Sequence, residues 1–80
     1  MSSQESPDRA VVLRAQREFG RTVKQQCVAA DIRQADLAAE LGIHDTVFSA
    51  VINGRRVWQA GIDDLKEKVA QAIARVAVSA

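Results

Sequence analysis

Between Gln34 and Gly54 the chain reads QADLAAELGIHDTVFSAVING, two apolar patterns separated by a short glycine-led stretch. Leu37, Ala38 and Leu41 share one side of the first, and Val47 or Phe48 with Val51 and Ile52 share one side of the second, at helical steps. Gly42 is the residue that most cheaply takes the left-handed turn closing a helix, and Asn53-Gly54 stops the second pattern. Helices are therefore expected over about 34–41 and 45–52. Two helices this short, joined by about three residues, must cross close to the turn. That crossing asks for a small side chain at Ala38, a bend at Gly42 and an apolar wedge at Ile43, Phe48 and Val51.

The flanks are helical too. Ser6-Pro7-Asp8 has the chemistry of a helix start: a capping hydroxyl, a preset φ and an acid for the dipole. Residues 1–6 before it are expected to be disordered. Val12, Ala15, Phe19, Val23, Cys27 and Ala30 then step by three or four residues. Gly20 interrupts them at a cost of about 1 kcal/mol against alanine, which leaves open one long helix or two. Ile62, Leu65, Val69, Ile73 and Val76 mark a last helix over about 62–77, with Asp63 and Asp64 in its first turn and Arg75 in its last. No segment alternates with period two for long enough to form a strand. The expectation is all-α: a small bundle of four to five helices in a single domain over residues 7–78. Only 4% of the 80 residues are aromatic, so its core is built from Ala, Val, Leu and Ile on closely approaching helices.

Charge narrows the function. The formal balance is +1, spread so that residues 1–20 and 61–80 are each neutral. There is no basic tail or charge block for nonspecific polyanion binding, so any DNA binding must rest on a few well-placed cations. No apolar run reaches the roughly 18 residues of a membrane span, and the first ten residues are too polar for a secretory signal. Cys27 and His44 are each alone, which excludes an intramolecular disulfide and a Cys/His zinc site and makes a reducing cytoplasm the expected compartment. Asp63-Asp64 are adjacent on a helix and do not converge on one ion. Without an acid/base pair or a phosphate-binding glycine loop, neither an enzyme nor a cofactor is expected.

With Gln34, Ala38, Gly42, Phe48, Val51 and the exit Asn53-Gly54 in this order, the stretch from about Val23 to Arg56 resembles the Cro and phage-repressor family. The resemblance implies a lambda-repressor-like fold with a helix-turn-helix at 34–54, and a transcriptional regulator, of the repressor type found in phages, on a double-stranded operator. The helix at about 45–52 would enter the major groove and present His44, Asp45, Thr46, Ser49, Ala50 and Asn53 to base edges. Gln34 looks like a phosphate clamp that also braces this helix, and Arg33, Arg55 and Arg56 would meet phosphates. Asp45 departs from the family's usual residues. It either accepts from cytosine N4 or, as the expected role, caps the helix; His44 is then a turn residue or a phosphate contact.

A domain this small reads an operator well only as two copies, so a homodimer through Ile62, Leu65, Val69, Ile73 and Val76 is one expectation. The other is that this stripe packs on its own core. Trp58 is expected to lie over the core, with a partner anchor as the alternative, and Cys27 to be a small buried hydrophobe. The rival function is a protein-interaction module, antirepressor-like, that keeps the helix-turn-helix without binding DNA; near-neutral charge and Asp45 favour it.

Overall fold

The computed structural model describes residues 7–79 and forms four α-helices: α1 (Pro7–Ala30), α2 (Gln34–Leu41), α3 (Asp45–Ile52) and α4 (Ile62–Ser79). The described residues include no strand, so the chain is a small all-α bundle. The disorder expected of residues 1–6 and the cap expected at Ser6 lie outside the described residues. α1 runs unbroken through Gly20, and packing explains the glycine. A Cβ built there would collide with the Ile52 carbonyl oxygen and come within 2.8 Å of its carbon. Glycine lets the last turn of α3 lie directly against the backbone of α1.

Three helices end in the same way. Asp31, Gly42 and Gly54 have φ of 57°, 76° and 72°, the left-handed region. After each, a backbone N–H reaches back five residues: Ile32 to Cys27 O, Ile43 to Ala38 O, and Arg55 to Ala50 O. These are Schellman closures, which satisfy carbonyls that a helix end otherwise leaves open. The first two also drive an apolar residue inward, Ile32 into the core and Ile43 against it. Gly42 and Gly54 were readable stop signals; Asp31 takes a positive φ despite its Cβ, as Asp does more readily than most residues.

All four helices feed one core. Val23 and Cys27 come from α1, Leu37 and Ala38 from α2, Phe48, Val51 and Ile52 from α3, and Leu65, Val69 and Ala72 from α4. α1 and α2 each pack on both α3 and α4. Phe48 is fully buried, a contribution of about 1.5–3 kcal/mol for a side chain of this class. Cys27 is buried as expected, and that burial raises its thiol pKa, which suits an inert packing group.

The structure corrects the stripe expected on α1 and bears on the two alternatives for α4. On α1 the buried line is Gln16, Gly20, Val23 and Cys27; Val12 and Ala15 sit at its edge and Ala30 is exposed. The left-handed turn at Asp31 swings the chain so that Ile32, not Ala30, continues into the core. On α4, Leu65 and Val69 are 0% and 1% exposed within the single chain, and Ile62, Ile73 and Val76 pack against the same cluster. Leu65 and Val69 are thus spent inside the chain, while Ile62, Ile73 and Val76 remain half-buried, an arrangement that favours the alternative in which the stripe packs on its own core.

Candidate functional site

The N-terminal ends of α2 and α3 meet at an open groove of about 400 Å³, lined by Gln34, Ala35, Asp45, Thr46, Ser49 and Arg55. Asp45, Thr46 and Ser49 share one face of α3 by helical spacing. Arg55 arrives from the far side of the chain reversal, held by its backbone bond to Ala50. Five of the residues expected at the site are thus gathered in one place: Gln34, Asp45, Thr46, Ser49 and Arg55. Residues from the first turns of both α2 and α3 line the groove, and the free N–H groups of a helix start carry partial positive charge. Among the described residues, Gln34 makes no side-chain hydrogen bond and Arg55 and Arg56 make no ion pair.

Other expected site residues lie outside the groove lining. Arg33 is the N-cap residue of α2 without a side-chain cap bond, and its 3.6 Å pair with Asp36 is solvent-exposed, so it adds little stability. Arg56 is exposed beyond Arg55. Ala50 is half-buried, and its carbonyl accepts from the N–H groups of Arg55 and Arg56. Asn53, expected at base edges, is instead engaged within the chain: it accepts from Lys24 Nζ at 2.6 Å and donates to Ser49 Oγ at 3.2 Å. It therefore positions Ser49 and ties α3 to α1.

The cap of α3 also differs from expectation. His44, not Asp45, has the extended backbone of an N-cap (φ −70°, ψ 147°), and its Nδ1 accepts from the Thr46 N–H at 3.2 Å. Asp45 is already helical, so its carboxylate cannot reach back to cap and stands exposed in the first turn. The same Nδ1 lies 2.8 Å from Thr46 Oγ1 and 3.0 Å from Asp45 Oδ1. An unprotonated Nδ1 caps the helix, whereas a protonated one donates to Asp45. The proton on one nitrogen decides which.

Sequence reasoning missed Gln16, the one fully buried polar side chain among the described residues. Its Nε2 donates to the carbonyls of Val51 (2.9 Å) and Arg56 (2.7 Å), and its Oε1 accepts from the Trp58 N–H (2.9 Å). One amide from α1 thus fastens the end of α3 and the loop that carries Arg55. The readable signal was a glutamine in the same helical register as Val23 and Cys27. Trp58 lies over the core as expected and donates through Nε1 to Asp64 Oδ2 at 2.8 Å. That bond, followed by the bond from Lys68, holds Asp64 below its ordinary carboxylate pKa.

On the other side of α3 an apolar hollow of about 300 Å³ is lined by Val47, Val51, Val57 and Trp58 among others. No cluster of His, Cys, Asp or Glu among the described residues is arranged to hold a metal ion. No helix among them is long and apolar enough to cross a membrane. No protein-family model matches this chain, and no curated protein or solved structure matches it. The likeness to the Cro and phage-repressor family therefore rests on the residues quoted above and on nothing broader.

Proposed function

We propose that this chain is a DNA-binding transcriptional regulator, a compact phage-type repressor whose α3 enters the major groove of an operator. The observation that carries this reading is the groove where α2 and α3 start. It collects an unengaged amide at Gln34, hydroxyls at Thr46 and Ser49, and an unpaired guanidinium at Arg55. Amide and guanidinium suit phosphate, and hydroxyls suit base edges or phosphate. Gln34 and Arg55 bracket α3 as backbone clamps, with Arg56 beside them and Arg33 at the outer edge. His44 and Ala50 flank the reading face, and Asn53 acts through Ser49. Selective recognition by so small a surface uses two copies on half-sites about one helical turn apart. With Leu65 and Val69 committed to the core, such pairing uses the half-buried Ile62, Ile73 and Val76 or another surface, or forms only on DNA.

The test is an NMR titration of isotope-labelled protein with the DNA upstream of its own gene, at low and moderate salt. Shifts at Gln34 and from His44 to Arg56 that weaken as salt rises are the expected result. No shifts there at either salt would overturn the reading. The second reading, a protein-interaction module, is favoured by the apolar hollow beside Trp58 and by the exposed Asp45. A protein held there would bind almost independently of salt and would shift Val47, Val57 and Trp58 instead.

A further inference from the structure

Folding sorts charges that look scattered along the chain. Arg14, Arg17, Arg21 and Lys24 follow one another at steps of three, four and three, and so share one edge of α1. This edge adjoins the exit from α3. Lys24 Nζ donates to Asn53 Oδ1 at 2.6 Å, and a Cβ added at Gly54 would stand 3.0 Å from the Arg17 Cβ and 2.7 Å from the Leu13 carbonyl oxygen. Gly54 leads straight into Arg55 and Arg56, so the edge of α1 and the basic pair after α3 are neighbours.

One carboxylate borders this side, so four cations against one acid leave it clearly basic. Among the described residues Arg14, Arg17 and Arg21 are exposed and make no ion pair. Glu18, four residues after Arg14 and three before Arg21, is their neighbour on α1 but makes no ion pair with them among the described residues, and it lines a hollow with Phe19, Thr22 and Lys66. Asp45 sits at the opposite end of α3. From Arg14 to Lys24 the edge is about 15 Å long, a length over which one DNA strand presents about four phosphates.

We propose that the Arg14–Arg17–Arg21–Lys24 edge of α1 is a second phosphate track, continuing from Arg55 and Arg56 along the backbone of the same duplex. This rests on the reading of the chain as a DNA-binding protein, and it extends the contact surface from the α2–α3 groove to a helix outside the helix-turn-helix. Lys24 serves two purposes on this track. It holds Asn53 and places its charge beside the strand.

The test measures binding of the full chain to a labelled mixed-sequence duplex of about two helical turns, roughly 21 base pairs, by fluorescence anisotropy across a salt series. Replacing Arg17→Gln together with Arg21→Gln should flatten the slope of log K against log salt by about 1.8, at about 0.9 per phosphate contact. Arg17→Lys with Arg21→Lys should retain the wild-type slope. Lys66→Gln, which removes a cation from the other flank, should leave the slope unchanged and so separate the track from net charge. Circular dichroism on each variant verifies that the helices remain. A double glutamine variant that is folded and keeps the wild-type slope overturns the track while leaving the DNA-binding reading in place. Wild-type protein with no salt-dependent binding overturns both.

Discussion

The two ends of α3 treat polar side chains in opposite ways. At its C-terminal end Gln16, Lys24, Asn53, Trp58 and Asp64 bond to one another's elements and lock α1, α3 and the following loop together. At its N-terminal end Gln34 and Arg55 have no side-chain partner among the described residues, and Ser49 accepts from Asn53 while keeping its own proton to donate. Both regions are polar, and both lie within a few residues of the same helix. Their difference teaches that hydrogen-bonding capacity committed inside the chain sets stability, whereas capacity left over is what a ligand can use.

Gln16→Ala attacks the committed end and should have the largest effect. It strips partners from two buried or half-buried carbonyls and one N–H, and should lower unfolding free energy by about 3 kcal/mol. Urea denaturation checks this; a loss below about 1 kcal/mol would mean that water replaces the amide. Gly20→Ala comes next, because two effects oppose each other. Alanine gains about 1 kcal/mol in helix propensity, but its methyl meets the Ile52 carbonyl, a backbone atom that no rotamer change can move. Overpacking should win, with a net loss of about 2 kcal/mol, and a stabilised variant would show that α1 and α3 separate more readily than their packing suggests.

A smaller effect is expected at Trp58→Phe, which keeps a ring over the core and deletes the indole donor to Asp64. The pKa of Asp64 should rise towards its ordinary value of 3.8, followed by NMR as pH is varied. Because the folded-state value is depressed, the stability linked to Asp64 is present above the ordinary value. It is lost as pH falls through the lower, folded one. The variant should lose part of that acid-range dependence, and an unchanged titration would assign the depression to Lys68 alone. Smallest for stability should be Gln34→Ala and Arg55→Ala at the uncommitted end, within about 0.5 kcal/mol of wild type. If the proposed DNA-binding role holds, both should nevertheless weaken binding to every DNA sequence alike. A stability loss as large as that of Gln16→Ala would erase the distinction between the two ends.

Much of the fold was legible because its determinants are local. The boundaries at Gln34, Leu41, Asp45, Ile52 and Ile62 follow from apolar period and from residues that accept a left-handed turn, both readable within a few positions. The groove residues Gln34, Thr46, Ser49 and Arg55 were legible for the same reason, since they border those helix ends. The cap of α3 was misassigned by one residue. Asp and His both offer an acceptor at that point, and only the backbone angle of His44 decides between them.

What the sequence by itself determined is therefore a set of helices, their stops and the polar residues at their starts. Tertiary structure alone decided which side of α1 receives α3, that Gly20 is a contact point and not a break, and that α4 buries Leu65 and Val69 of its apolar stripe inside the chain. It also decided that evenly distributed charges leave one basic edge beside Arg55. The physical reason is distance along the chain. Gln16 meets Val51, Arg56 and Trp58 across 35, 40 and 42 residues, and no periodicity within one helix records which carbonyls a distant helix will bring to its amide.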